Sequence, residues 1–208
     1  MATQTIIGEM RDAIRERDLL QHSFYKRWLA GDLAMSELAD YAAQYYHVVK
    51  LLPKLLEIAA EQDREHRNAL LAHAVEERAH VRLWERFAEA CGVPAQTLRS
   101  LEPNRATRAM IDACMESAGA GNAATVVWAL EVQTPAVSKE KIHGLEQHYG
   151  IGVHSGGEYF ALHEHLDVEH AAELENVIAS RPREGAPAAA LTAADGVWNL
   201  LTSVERAA

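Results

Sequence analysis

The stretch Tyr159-Phe-Ala-Leu-His163-Glu-His165-Leu-Asp167-Val-Glu-His170 decides how this chain folds. If it forms a helix, at about 100° per residue, then His163, Asp167 and His170 lie within about 60° of one another on one face. Two imidazoles and a carboxylate on so narrow a face are a typical set of metal ligands. The stretch therefore predicts a helix whose inward face can hold a metal ion, with further ligands coming from neighbouring helices.

Helical patterns also fill the rest of the chain, and no segment alternates between apolar and polar residues as a β-strand does. Ser155 and Glu158 fit a capping box, which predicts that the helix of the quoted stretch begins near Gly156. Among the other helices, we expect a kink at Pro53 and an interruption at Pro135, because proline cannot donate the helical hydrogen bond. The other predicted helices are 6–14, 22–28, 36–60, 65–91, 105–117, 126–149 and 191–204.

The composition favours one domain. The chain has 208 residues, of which 49% are hydrophobic, so it can bury a sizeable core. We predict a single all-α domain over 1–208, with a core bundle at 1–180, a linker at 181–187 and a C-terminal helix at 188–206. No apolar run approaches the roughly 20 residues of a membrane span, and the N-terminus lacks the pattern of a signal peptide. A cytoplasmic protein without membrane contact is therefore expected.

Charge and cysteine content exclude two further classes. The formal charge of −10 disfavours nucleic-acid binding, which needs a basic surface. Cys91 and Cys114 lie far apart without a CxxC pattern, so we expect buried, reduced thiols rather than a disulfide framework or a thiolate metal site. Eleven histidines are then the unusual feature of the composition.

Facing helices supply candidate partners for the three ligands. Glu77 and His80 have the i, i+3 spacing by which helix bundles bring a carboxylate and an imidazole to a dinuclear iron or manganese centre. Glu76 is an alternative to Glu77 in this role. Glu131 lies in an apolar run, where an unpaired carboxylate is costly to bury, and Pro135 leaves the backbone carbonyl of Glu131 without its helical partner. A metal ion would explain both features of Glu131.

Each part of this set also has an ordinary structural explanation. A Glu-x-x-His pair is common on solvated helices, exposed histidine-rich faces exist, and Glu131 could pair with an arginine or a lysine. Together, however, the groups make an oxygen and nitrogen ligand set without sulfur, which suits iron or manganese better than structural zinc. We interpret His47, His73 and His165 as surface residues or as supports for a ligand. The predicted ligands are Glu77, His80, Glu131, His163, Asp167 and His170.

Four segments of the chain, 22–33, 41–46, 131–145 and 159–170, resemble the heme-oxygenase-like dimetal oxidases. Within that superfamily the chain is most similar to the chlamydial protein associating with death domains and its bacterial relatives, the self-sacrificing para-aminobenzoate synthases. The resemblance implies a heme-oxygenase-like (thiaminase-II-like) bundle of about seven helices. It also implies that the same six residues bind two iron ions, or a mixed manganese/iron pair.

The resemblance implies a dimetal oxygenase that forms 4-aminobenzoate for folate biosynthesis, with dioxygen as co-substrate and an electron donor. The ring would come from one of the protein's own tyrosines and the nitrogen from a lysine. Tyr25, Tyr41, Tyr159 and Lys141 stand at the matching positions. Bundles of this kind often pair, so a homodimer is expected.

Several alternatives stay open at this point. Relatives have a glycine-containing insertion where only two residues separate Glu77 from His80, so the choice between Glu76 and Glu77 is not decided. The tyrosines could simply line the core with hydrogen-bonded hydroxyls. The direction of Lys141 depends on the break at Pro135. The enzyme could instead act catalytically on an external small molecule, or the chain could be a nonenzymatic interaction protein.

Overall fold

The computed structural model describes the backbone of residues 2–205 and the side chains of residues 6–205. This part of the chain forms ten α-helices and no β-strand, which confirms the all-α prediction. The helices are α1 (Ala2–Ile14), α2 (Ser23–Ala30), α3 (Met35–Gln62), α4 (Arg67–Ala90), α5 (Ala95–Ser100), α6 (Arg105–Ser117), α7 (Ala123–Glu131), α8 (Thr134–Gly144), α9 (Glu158–Ser180) and α10 (Ala186–Val204). The predicted end of the last helix, at residue 206, lies outside the described residues.

The predicted helix 126–149 consists of two helices, α7 and α8, which are separated by the turn at Val132 and Gln133. Pro135 lies in the first turn of α8, where its missing N–H costs nothing. The hydroxyl of Thr134 donates a 3.0 Å hydrogen bond to the carbonyl of Leu130, which the break would otherwise leave free. The predicted interruption at Pro135 is thus confirmed. The short helix α5 was not predicted, because six residues are too few to show a period.

The predicted capping box before α9 is wrong. The hydroxyl of Ser155 accepts a 2.8 Å hydrogen bond from the N–H of Gly152 instead of capping the helix. Gly156 has a φ of +136°, outside the helical region, so the helix cannot begin there. It begins at Glu158, whose carboxylate pairs with Arg86 of α4. The positive φ of Gly156 therefore moves the start of α9 two residues along the chain.

The core lies between the long helices. α3, which is continuous through Pro53, packs against α4, and the tight connection between them makes the two helices antiparallel. α9 packs against α4, α7 and α8, while α10 covers α6, α1 and α7 on the other side. This arrangement directs one face each of α3, α4, α7 and α9 toward the same interior space. No helix in residues 2–205 is long and apolar enough to cross a membrane.

Close contact between α2 and α8 depends on Gly144. A Cβ atom at this position would lie 2.7 Å from Cδ1 of Trp28, so only glycine permits the approach. The indole N–H of Trp28 donates a 3.2 Å hydrogen bond to the carbonyl of Lys141, one turn earlier in α8. The contact holds the Lys141 side chain against the aromatic residues of α2.

Candidate metal centre

Three helices bring all six predicted ligands to one place in the core. Each of these residues is buried, with at most 8% of its surface exposed. Glu131 arrives there because it is the last residue of α7, directly before the turn that leads to Pro135. The six residues are Glu77 and His80 on α4, Glu131 on α7, and His163, Asp167 and His170 on α9.

The ligand atoms fall into two groups that share one carboxylate. Atoms of Glu77, His80 and His163 lie within 4.8 Å of one another and form the first group. The second group, with the same limit, comprises His73, Glu77, Glu131 and His170. Asp167 belongs to neither group, but its Oδ1 lies 3.7 Å from Nδ1 of His170. Two adjacent groups that share Glu77 are the arrangement expected of a dinuclear centre.

Buried polar atoms without hydrogen bonds are concentrated here. Such atoms are costly in an apolar interior, and native proteins usually satisfy them. In this centre they need a partner that can accept several lone pairs at once, which a transition-metal ion does. The residues present therefore fit a pair of ions. The unpaired atoms of the centre are Nε2 of His73 and His163, Nδ1 of His170, Oδ1 of Asp167, Oε2 of Glu77, and both carboxylate oxygens of Glu131.

The outward-facing nitrogens of two histidines are held by other groups. Nδ1 of His163 lies 2.6 Å from the carbonyl oxygen of Tyr159, which leaves Nε2 facing the centre. Nε2 of His170 lies 3.3 Å from Oε2 of Glu76, whose side chain is 51% exposed. Metal-binding histidines commonly make such a second hydrogen bond, which fixes the ring. Glu76 thus supports His170 from outside, and the buried Glu77 is the carboxylate inside the centre.

The pKa values of the three buried carboxylates are shifted in different directions. Burial raises the pKa of Glu131 well above its usual value, and the charges of Asp167 and Glu77 raise it further. Burial also raises the pKa of Asp167. Burial has the same tendency at Glu77, but hydrogen bonds with His163 and His80 outweigh it and lower the pKa. Of the three carboxylates, Glu77 is the one whose pKa is lowered, and it faces two imidazoles.

His73 is the residue of the centre that sequence reasoning missed. It is 4% exposed, and its Nε2 lies 3.2 Å from Oε1 of Glu131. Burial and the charge of His170 lower the pKa of His73 to about 3, so this imidazole is neutral. His73 precedes Glu77 by four residues and so shares its helix face. That spacing could have identified His73 as a candidate. Nothing in the sequence, however, distinguishes a histidine in the centre from one that only supports a ligand from outside.

A second buried polar cluster surrounds Lys141. Its Nζ donates a 2.6 Å hydrogen bond to the hydroxyl oxygen of Tyr41, and this oxygen lies 3.4 Å from that of Tyr25. Burial lowers the pKa of Lys141 well below its usual value and raises the pKa values of Tyr25 and Tyr41. Three of the four residues predicted to take part in the reaction thus lie together, and burial favours their neutral forms.

Tyr159, the fourth residue predicted to take part in the reaction, contacts the metal centre instead. Its ring stacks on His163 with 3.9 Å between the ring centres. It also meets Trp84 at 4.8 Å, and Trp84 meets Tyr41 at 5.7 Å. An unbroken series of aromatic contacts therefore joins the metal centre to the cluster around Lys141.

Tyr45 is another residue close to both clusters. Its ring centre lies 5.4 Å from that of Tyr41. Burial raises the pKa of Tyr45, and the charges of Asp167 and Glu77 raise it further, so its hydroxyl is near the carboxylates. The sequence showed only that Tyr45 lies one turn from Tyr41. Both cysteines are buried and free, as predicted.

Fold and site together define a heme-oxygenase-like helical bundle with a buried carboxylate and histidine centre for metal ions. The chain belongs to the family of iron-containing redox enzymes, whose model matches residues 39–203. It is therefore an oxygen-using metal enzyme.

Relatives of known name support this assignment. The 4-aminobenzoate synthase of Chlamydia muridarum is 33% identical over 193 residues, which cover 88% of this chain and 81% of that protein. The 4-aminobenzoate synthase of Chlamydia trachomatis is 34% identical over 176 residues, which cover 79% and 75%. The 4-aminobenzoate synthase of Nitrosomonas europaea is 30% identical over 229 residues, which cover 98% and 92%. The predicted family is thus confirmed.

Solved structures share the fold at low sequence identity. A TenA homologue from Pseudomonas syringae superposes with a TM-score of 0.79 at 16% identity, covering 97% of this chain and 91% of its own. A domain with a heme oxygenase-like fold from Shewanella denitrificans gives 0.74 at 15% identity, covering 97% and 89%. The predicted heme-oxygenase-like, thiaminase-II-like fold is thereby confirmed.

Proposed function

We propose that this chain is a 4-aminobenzoate synthase that takes the ring of its product from one of its own tyrosines. The observation that carries the proposal is the amine of Lys141, which is buried against Tyr25 and Tyr41 and joined by aromatic contacts to the metal centre. Relatives from Chlamydia and Nitrosomonas bear the name of this activity.

The centre suits two iron ions or a mixed manganese/iron pair, because its ligands are oxygen and nitrogen atoms without sulfur. When bound, these ions supply the activation of dioxygen and the one-electron oxidation of a nearby phenol. Tyr159 is well placed to pass an electron to the centre, since its ring stacks on His163. The reaction also requires an electron donor, and we expect the chain to act as a homodimer.

The amine of Lys141 is prepared for nucleophilic attack. Burial disfavours the ammonium and lowers the pKa of Lys141, which favours the form of Nζ that carries a lone pair. Nζ lies 5.0 Å from the ring centre of Tyr25 and 4.9 Å from that of Tyr41. Its hydrogen bond to the Tyr41 oxygen holds it beside both rings. We assign Lys141 as the nitrogen donor.

Tyrosine has the substitution pattern that the product needs. Both tyrosine and 4-aminobenzoate are para-disubstituted rings, so the tyrosine Cβ corresponds to the carboxyl carbon. The conversion would break the Cα–Cβ bond of the tyrosine and the Nζ–Cε bond of the lysine, and nitrogen would replace the phenol oxygen, which leaves as water. Dioxygen would be the oxidant that takes Cβ to the carboxyl level, with the electron donor as reductant. Tyr25 and Tyr41 are 2% and 0% exposed, which excludes bulk water from the reacting groups. We assign Tyr25 as the ring donor and Tyr41 as the residue that positions the amine.

Isotopic labelling tests this assignment directly. Protein expressed with ring-labelled tyrosine should yield labelled 4-aminobenzoate, with at most one product per chain and a mass loss at Tyr25. Tyr25→Phe and Lys141→Arg should each abolish the product while the metal content is unchanged. Tyr46→Phe is the matched control, because Tyr46 is buried like Tyr25 but lies on α3, where its hydroxyl donates to Glu85, away from Lys141. Sustained turnover of an added small molecule, with unlabelled product, would overturn the proposal.

A further inference from the structure

His73 is packed into the metal centre as tightly as the six predicted ligands. Its ring centre lies 3.5 Å from that of His170, and its Nε2 lies 3.2 Å from Oε1 of Glu131. It occupies the inward face of α4, one turn before Glu77. The whole side chain is 96% buried, since 4% of it is exposed.

The short distance between His73 and Glu131 is not a hydrogen bond. Nε2 of His73 and both oxygens of Glu131 lack hydrogen-bond partners, although the two side chains nearly touch. Adjacent ligands of one ion, each about 2.1 Å from it and at right angles, are separated by about 3 Å. The pair therefore has the spacing of two ligand atoms that point to a common position rather than to each other.

We propose that His73 is a seventh protein ligand of the dimetal centre, binding the ion that Glu131 and His170 also bind. The ion at this position would then be bound by two imidazoles, those of His73 and His170. The other ion would also be bound by two, those of His80 and His163, and Glu77 belongs to both groups. The inference rests on the metal centre of the proposed function, but it is independent of which tyrosine supplies the ring.

A surface cavity of about 270 Å³ reaches His73 from outside. The cavity lies between α4 and α9, and His66 lines it as well. Its other lining residues are the apolar Ala69, Leu70, Leu174 and Val177 and the polar Glu173 and Asn176. A cavity of this volume is several times the space of a water molecule, about 30 Å³, and can admit a free imidazole. Removal of the His73 side chain should therefore leave a site that added imidazole can fill.

Zinc binding tests the proposal without any redox reaction. We would measure zinc stoichiometry and affinity by titration calorimetry on the full chain and its variants. The wild type should bind two ions per chain. His73→Ala should keep the ion at His80 and His163 but weaken the other by about 100-fold or more, beyond what loss of an outer support costs. Imidazole in the buffer should restore the weakened ion.

Two controls separate a ligand from a neighbour. His66→Ala removes an imidazole from the same cavity that lies outside the ligand cluster, and it should bind zinc as the wild type does. His73→Gln keeps a polar side chain that could hydrogen-bond to Glu131 but removes the imidazole, so it should remain defective if His73 is a ligand. In a crystal structure of the zinc-loaded wild type, Nε2 of His73 should lie about 2.0–2.1 Å from one ion.

Opposite results would be unambiguous. Two ions bound by His73→Ala with unchanged affinity, full recovery in His73→Gln, or a zinc ion beyond bonding distance of Nε2 would each overturn the assignment of His73. The crystal structure gives this answer even if the variants fail to fold. A wild type that binds no zinc at all would instead overturn the metal centre of the proposed function.

Discussion

The core of this protein contains two buried polar clusters that differ in how their polar atoms are satisfied. In the metal centre, atoms of Glu77, Glu131 and Asp167 lack hydrogen-bond partners. Around Lys141, the amine and the hydroxyls of Tyr25 and Tyr41 bond to one another. Unpaired buried groups cost free energy, whereas paired ones do not. The first cluster is therefore complete only with a ligand, and the second is complete within the chain.

The two clusters also differ in the charge of their side chains. The three carboxylates of the metal centre repel one another, which raises the pKa of Glu131 further above the value that burial alone gives. Burial favours the neutral forms of Lys141 and its tyrosines, because it lowers the pKa of the lysine and raises the pKa values of the tyrosines. Changes in metal, pH or side chain should thus affect the two clusters separately.

The largest expected effect is loss of the metal centre without damage to the lysine cluster. His163→Ala removes an imidazole that faces Glu77, and it should lose most of the bound metal and all 4-aminobenzoate formation. His165→Ala is the matched control, because this histidine is exposed on the same helix. Elemental analysis of both purified variants measures the difference. Equal metal content in the two would show that His163 is not a ligand.

Metal removal should have the next largest effect. Ions that bind only the folded state stabilise it by about 2.7 kcal/mol at a metal concentration 100 times Kd. For a chain of this size, that corresponds to a rise in Tm of roughly 5–10 °C. Lys141→Met should show the same rise, because its cluster does not contact the metal. Calorimetric scans with and without metal measure this rise in Tm. No rise in the wild type, or a different rise in Lys141→Met, would contradict the view that the two clusters behave separately.

Over a single pH unit, the smallest expected effect is a pH dependence of stability that belongs to Lys141 alone. The folded pKa of Lys141 is lowered by burial, so near neutral pH the unfolded state binds a proton that the folded state does not. Stability from this group is therefore full above the unfolded pKa of about 10.4 and is lost as the pH falls toward the folded pKa, by about 1.4 kcal/mol for each pH unit.

Lys141→Met should remove this slope and be the more stable protein at neutral pH. Urea unfolding of both proteins between neutral pH and about pH 10, near the lysine pKa, measures it. The curves should converge as the pH rises. Parallel curves would mean that Lys141 is charged in the folded protein, and its role as a neutral amine would fail.

Helical periodicity was sufficient to predict how the metal centre is assembled. His163, Asp167 and His170 share a face by spacing alone, and Pro135 marked the break that ends α7 at Glu131. His73 is not among the predicted ligands. Its spacing from Glu77 puts it on the same face of the helix, but spacing along one helix does not show what the facing helices bring. The contact with Glu131 is separated by many residues in sequence, and only the packed structure shows it.

Three features of the structure depend on local backbone conformation or on helix packing, and the sequence could not predict them. The capping box failed because Gly156 adopts a positive φ, which a pattern of Ser and Glu does not reveal. The direction of Lys141 depends on the close approach of α8 to α2, which requires Gly144 beside Trp28. Glu76 and Glu77 differ by one position on α4, and only the packing of α9 distinguishes the buried one from the exposed one.

Glu77 belongs to both groups of ligand atoms, and this has a consequence for how the centre fills. A carboxylate that is already held by one ion is fixed in place for the next, so the two loading steps cannot be independent. A binding isotherm for this protein should therefore not fit two identical, independent sites, and the affinity for the second ion should depend on whether the first is bound.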